Sequence, residues 1–175
     1  DRLRRVARAA SGSYVYPGGS LDGPMEIREA DTSDRPAIRD VARRSLMASY
    51  SIGTTAIVGA VDEWYDENRL RDRIGDEDAL LLLAVDDGQV VGFSDSRITG
   101  EDTATLSWIH VDPAHRSADV GETLFDRTRD RLDQRGATHL HGRVLADNVG
   151  GNEFYKDHSL AKVGSEQVSI QGTTY

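Results

Sequence analysis

Residues 111–124 read V-D-P-A-H-R-S-A-D-V-G-E-T-L, and no other stretch of the chain restricts the fold as much. A β-branched strand over Thr103–Val111 runs into Asp112-Pro113, and an exposed polar turn follows. An amphipathic helix then opens near Asp119 and Val120. It sets Val120, Leu124, Thr128 and Leu132 on one face until Gly136 closes it. A strand that hands a polar turn to a helix N-terminus makes an anion site. The first N–H groups of the helix have no partner within it, and the macrodipole adds roughly half a positive charge at that end. With Arg116 just ahead of the turn, a pyrophosphate fits.

The flanking pattern places this unit in a mixed α/β fold. Met25–Ala30 is a first strand with Ile27 inward. Ser33-Asp34 can cap a helix, and Pro36 falls in its first turn. Ile38, Val41, Ala42, Ser45, Leu46 and Ser49 then form one face at helical spacing. A loop over Ser51–Thr55 leads to a second predicted helix over 56–74, with Val61, Trp64, Tyr65 and Leu70 on its buried side. Two apolar runs, Ala79–Val85 and Val90–Ile98, are split by Asp86-Asp87-Gly88-Gln89, a hairpin signal. After the 120–135 helix come a strand over Thr138–Val144, a helix over Val149–His158 and a strand over Leu160–Ile170. The order is β-α-α-β-β-β-α-β-α-β. Residues 1–24 differ in character: a short Arg/Ala helix leads into Ser/Gly/Pro/Tyr-rich text, read as an extension poorly integrated into the core of a 25–175 domain.

Composition narrows the partners. With 21 basic against 30 acidic residues and a net charge of −9, the chain lacks the footprint of a nucleic-acid binder. It has no cysteine, hence no disulfide, thiolate nucleophile or cysteine metal site. Four of the five histidines (His110, His115, His139, His141) lack a tight metal spacing, so no metal is expected. Lys156 and Lys162 are the only lysines, and Asp outnumbers Glu. An acidic, lysine-poor surface stays hydrated in high salt, which suggests a cytoplasmic protein of a salt-loving microbe; an acidic protein of a high-GC organism reads the same way. The longest apolar run, Ala79–Val85, is far short of the ~20 residues of a membrane span. The basic N-terminus lacks the apolar core of a signal peptide.

The 111–124 segment resembles the acyl-CoA-binding motif of the GNAT superfamily of N-acetyltransferases, V-x-P-x-x-R-x-x-G-x-G-x-x-L. Val111, Pro113, Arg116, Gly121 and Leu124 match, and Asp119 replaces the first glycine. A second family block, N-x-x-A-x-x-F-Y-x-x-x-G-F, reads here Asn148, Gly151, Phe154, Tyr155, Ser159 and Leu160: Asn148 and the Phe154-Tyr155 pair are in register, and the other positions are altered or exchange one small residue for another. The resemblance runs from about Met25 onward. It implies the GNAT acyl-CoA N-acyltransferase fold, a mixed central sheet with two splayed central strands. The final strand of the family is missing from the order read here, which would leave a sheet edge open to pairing, homodimerisation included.

The same resemblance implies acetyl-CoA as cofactor and an amine as partner. The backbone N–H groups of Arg116, Ser117, Ala118, Asp119, Val120, Gly121 and Glu122 would cradle its phosphates, with the Arg116 side chain as a charge partner. Asp119 would repel a phosphate, turn outward, or cap the helix. Ile109, His110 and Val111 would pair with the pantetheine arm, and the N–H of Ile109 or Val111 would polarise the thioester carbonyl. Asn148 would hydrogen-bond the arm or cap its helix. Tyr155 stands where the family keeps its general acid, with packing beside Phe154 as the other role open to it. For the base, His110, His141, Glu101 or a water chain are open, and a histidine near pKa 6.5 can accept an amine proton. Tyr50, Asp62, Glu63, Trp64 and Tyr65, within 45–66, would form an aromatic-acidic wall for a cationic amine. The function implied is N-acetyl transfer to an amine of a small molecule, peptide or protein. The alternative is a catalytically degenerate acyl-CoA-binding or interaction module.

Overall fold

The structure, a computed structural model, describes residues 25–50, 53–116, 119–146, 148–165, 169–170 and 173–174. The readings made of 1–24 lie outside them, as do Ser117 and Ala118.

Five strands form the central sheet in the order β1 (Glu26–Glu29), β2 (Ala79–Asp86), β3 (Gln89–Ile98), β4 (Thr103–Val111) and β5 (His139–Gly142). Neighbours are antiparallel except β4 and β5, which are parallel. β2 is apolar throughout because both of its faces are covered. Leu81 and Leu83 point towards α1 (Arg35–Ser49), α2 (Thr54–Trp64) and α3 (Glu67–Ile74), packing with Ile38, Val41 and Phe93. Leu80, Leu82 and Ala84 point the other way, against Val120, Leu124 and Leu132 of α4 (Val120–Gln134). The β2–β3 turn is of the primed type, with Asp87 at φ 49° and Gly88 at φ 74°.

Three local readings need correction. The cap at the first helix is Asp31, whose carboxylate accepts from Ser33 N at 2.7 Å over a 3-10 turn, Thr32–Asp34. Asp34 instead takes both guanidinium N–H groups of Arg28, at 2.7 and 2.8 Å. The expected single helix over 56–74 is two. The chain leaves helical geometry at Tyr65, and Asp66 caps α3 by accepting from Asn68 N and Arg69 N, a local bond that competes with helix continuation.

The strand expected over Leu160–Ile170 is not there as read: 160–165 are non-strand, and only β6 (Ser169–Ile170) pairs with β7 (Thr173–Thr174), in a separate two-stranded ladder. Among the described residues nothing pairs with the outer edge of β5. Between β5 and β6, α5 (Val149–Asp157) packs on α4 through Phe154 against Phe125, with ring centroids 5.6 Å apart and edge-on.

Candidate active site

β4 and β5 run side by side only from Thr103–His139 to Leu106–Gly142. One further bond, Arg143 N–H to Leu106 O at 3.0 Å, ends the contact, and the chain then leaves the sheet. At the same level β4 is bulged: Asp95 pairs with Trp108 and Ser96 with Leu106, so Ser107 is the extra residue. A bulge bends its strand and increases its twist. The last third of β4 therefore keeps β3 on one side and has an unpaired edge on the other. Asp112 N–H reaches β3 at Val91 O, 2.8 Å away. By the period of two, the N–H groups of Ile109 and Val111 point the opposite way, into the gap.

The turn beyond β4 delivers α4 to the mouth of this gap. Asp119 lies at φ 54°, ψ 20°, the left-handed region, and its side chain caps nothing. Its carbonyl accepts from both N and Oγ1 of Thr123 at 2.9 Å. The cap role open to its carboxylate is therefore not taken, and the first N–H groups of α4 have no side-chain acceptor in Asp119. Val120 is buried, Glu122 is exposed, and Gly121 lies 3.8 Å (as an added Cβ) from Phe154 and Val111. Arg116 does not point along the turn. Its Nη2 donates to Ser45 O (3.1 Å) and Ser49 Oγ (2.8 Å) on α1.

On the other wall, Asn148 caps α5 by accepting from Gly151 N at 2.9 Å, and its Nδ2 donates to Tyr50 Oη at 3.0 Å. The ring of Tyr155 lies over Gly142, the last β5 residue. A Cβ there would come within 3.0 Å of Tyr155 Cε1 and Cζ. Burial pushes the Tyr155 phenol above its ordinary range, and the nearby Tyr50 adds to this. Trp64 stacks on Trp108 with centroids 5.2 Å apart. Next to Tyr50 a small apolar cleft is lined by Leu46, Tyr50, Ile57, Ala60, Trp64 and Leu145 with no charged side chain. Of the acidic wall expected here, Asp62 is paired with Arg39, and Tyr65 is wholly buried.

The candidate bases are scattered. His110 is 2% exposed. Its Nδ1 lies 3.2 Å from Ser45 Oγ and its Nε2 3.4 Å from Tyr65 Oη. Burial, with Arg116 close by, lowers its pKa to about 3. Such an imidazole is neutral and closed to solvent. His141 is exposed on β5. Glu101 lies in the β3–β4 turn, before Thr103, the end of β4 that is roughly 25 Å from Val111 at strand rise.

Sequence reasoning passed over the α1 residues that hold the turn, Arg44, Ser45 and Ser49. The signal was two serines four apart on an otherwise apolar helix face. No helix among the described residues is long and apolar enough to cross a membrane.

Comparison with known proteins identifies the family. The acetyltransferase (GNAT) family matches residues 37–159, most of the described chain, and the protein belongs to that family, whose members use acetyl-CoA. The streptothricin acetyltransferase of Streptomyces lavendulae is 31% identical over 100 residues, 56% of this chain; the match spans about half, 53%, of that relative. Among solved structures, the PaiA N-acetyltransferase of Thermoplasma acidophilum in complex with coenzyme A superposes with a TM-score of 0.74 at 24% identity, covering 78% of this chain and 89% of that one. A GCN5-related N-acetyltransferase from Rhodopseudomonas palustris gives 0.69 at 23% identity, covering 90% and 94%. At these identities the two structures speak for the fold.

Proposed function

We propose that the chain is an acetyl-CoA-dependent N-acetyltransferase acting on a primary amine of a small molecule, peptide or protein. The observation that carries this reading is the gap where β4 parts from β5, with inward-facing N–H groups at Ile109 and Val111 and the Tyr155 phenol over its floor at Gly142. The residues fit the donor. The left-handed Asp119 and its uncapped helix start offer N–H groups to phosphates, the β4 edge offers strand-like pairing to an amide-bearing arm, and Asn148 lies across the gap.

When bound, the thioester supplies an activated acetyl group. The chain's own part is to hold and to move protons. The N–H groups of Ile109 and Val111 would donate to the thioester carbonyl oxygen as negative charge builds there. Tyr155 gives its proton to the departing sulfur. Its raised pKa keeps it protonated at neutral pH but makes its phenolate costly, so the proton lost by the amine must replace it promptly. The balance is one proton off nitrogen and one onto sulfur. His110, neutral and enclosed, is assigned no direct contact with the amine, and a water takes the amine proton instead.

Tyr155→Phe tests this reading. Turnover should fall about 100-fold or more with acetyl-CoA affinity unchanged, measured by thiol release and calorimetry in concentrated KCl. Unchanged turnover would remove Tyr155 from the chemistry. Binding without turnover in the wild type, across a broad amine panel, would favour the interaction module.

A further inference from the structure

Arg116 leads the turn into α4, yet its side chain reaches back to α1. Nη2 donates to Ser45 O at 3.1 Å and to Ser49 Oγ at 2.8 Å, and lies 3.4 Å from Ser45 Oγ. Among the described residues these bonds use one guanidinium nitrogen of three. At the other end of the turn, the nearly buried Asp112 pairs with Arg44 of the same helix at 3.0 Å. α1 thus grips the turn at both ends.

Behind Ser45 runs a chain of buried polar groups. Ser45 Oγ lies 3.2 Å from His110 Nδ1, and His110 Nε2 is at hydrogen-bonding limit, 3.4 Å, from Tyr65 Oη. Asp95, which Arg73 holds at 2.5 Å, lies close to Tyr65. An arginine only donates and a carboxylate only accepts. One assignment that satisfies these members runs donor to acceptor from Arg116 through Ser45 and His110 to Tyr65, with the imidazole proton on Nε2 and Asp95 beyond. Apolar side chains of the same volume would pack this region at least as stably. What the polar chain adds is a fixed orientation for the Ser45 hydroxyl, and that hydroxyl faces Arg116.

We infer that Ser45 and Ser49 are positioning residues for the donor site: they pin Arg116 by Nη2, and with it the turn, so that the rest of the guanidinium and the first N–H groups of α4 are set before the donor's phosphates arrive. The inference rests on the donor reading above. Pinning by one nitrogen leaves a planar fork able to meet an oxyanion with its others.

The test is calorimetry with two probes, coenzyme A and the phosphate-free S-acetyl pantetheine, on wild type, Ser49→Ala, Ser49→Thr and Ser45→Ala. Ser49 is half-buried, so its truncation spares the core. Loss of the 2.8 Å bond should weaken coenzyme A about 5–10-fold, lower the salt dependence of its binding, and leave pantetheine unchanged; Ser49→Thr should restore the wild-type value. Ser45→Ala should act in the same direction. Coenzyme A affinity that stays at the wild-type level overturns the inference. Tighter binding overturns it too, because Arg116 would then be withheld by α1 rather than aimed by it. Equal loss on both probes reduces the serines to a fold effect. A wild type that binds neither probe sinks the donor reading itself, and is told apart by the wild-type titration alone.

Discussion

Gly142 gives the sharpest test of where Tyr155 must stand. A methyl group at this position would meet Tyr155 Cε1 and Cζ and Leu160 Cδ2, each at 3.0 Å. Ordinary contact begins near 3.4 Å, and β5 is held by its parallel pairing to β4, so the ring must give way by a few tenths of an ångström. Misplacing a reacting group by ~1 Å costs turnover about 100-fold, so this smaller shift should cost on the order of 10-fold. Overpacking costs about 1–3 kcal/mol, and loss of glycine's freedom in the unfolded chain returns ~0.4–1 kcal/mol. The net loss, about 1–2 kcal/mol, lowers Tm by roughly 2–8 °C for a domain of this size. Gly142→Ala should therefore stay folded at 25 °C and bind acetyl-CoA, yet turn over slowly. Coenzyme A release is read with a thiol reagent, which meets no protein background because the chain has no cysteine. The double variant Gly142→Ala/Tyr155→Phe closes the cycle: if Gly142 acts through Tyr155, it is no slower than Tyr155→Phe alone. Turnover within two-fold of wild type, together with the lowered Tm, would refute the claim that the ring's position matters.

Three further outcomes follow from the same geometry. Asp119→Gly relieves a left-handed non-glycine residue at φ 54° and removes a carboxylate from the anion turn. Tm should rise by a few degrees at most and acetyl-CoA should bind about 3–10-fold tighter; no change in affinity would mean that the carboxylate points away from the phosphates. His110 titrates near 6.5 when unfolded and about 3 when folded, so between those values the unfolded chain holds the extra proton. Stability should then fall as pH drops through that window, by on the order of 4 kcal/mol in all. Asp95, raised by burial despite Arg73, offsets part of this, and a urea midpoint that does not fall from pH 6.5 to 4, or falls equally in His110→Leu, would contradict the buried neutral imidazole. Finally, the cleft beside Tyr50 carries no charged side chain. Amines with one cationic centre beside an apolar group should exceed polycations in kcat/KM by about 10-fold, and a preference for polyamines would move the acceptor site elsewhere.

The elements that the sequence made legible are those whose side chains obey one period from end to end. β2 to β4 and α4 fall where alternation and helical spacing put them, and Gly136 closes α4 at φ 94°. The α2–α3 break was hidden because Val61, Trp64, Tyr65 and Leu70 keep an inward rhythm across it. Tyr65 is turned fully into the core by the break itself, and the cue was Asp66, a cap in the middle of an apolar pattern. The 160–165 segment read as strand from local composition, but its side chains are mostly exposed, so among the described residues no second layer covers it. Asn148 and Tyr155 were visible as motifs, and the structure places Asn148 at the N-cap of α5 and the Tyr155 ring over Gly142. The role of His110 was not visible, because its partners Ser45 and Tyr65 lie 65 and 45 residues away, and nothing local distinguishes an enclosed histidine from an exposed one.

Two of the departures from the family pattern bear directly on the choice between enzyme and interaction module. Asp119 and Ser159 replace glycines, and both retain the backbone that glycine would have taken, at φ 54° and φ 63°. Aspartate is among the few residues that visit this region with modest penalty, while serine does so less readily. The substitutions therefore cost strain but leave the path of the chain intact: the uncapped start of α4 remains in place, and the turn after α5 still closes with Ser159 N–H on Lys156 O at 2.9 Å and Leu160 N–H on Tyr155 O at 2.9 Å. A site drifting without selection would be expected to lose its geometry together with its glycines. Here the geometry persists under strain, and strained backbone endures only where the surroundings over-determine it. Gly151 argues in the same direction. It stands where the family carries alanine, and an added Cβ would lie 2.7 Å from Asn148 Nδ2 and 2.8 Å from Val144 Cγ2. The chain has thus closed its α5 cap around Asn148 more tightly than an alanine permits, which is refinement of the wall facing the gap rather than decay of it, and it weighs the balance towards catalysis.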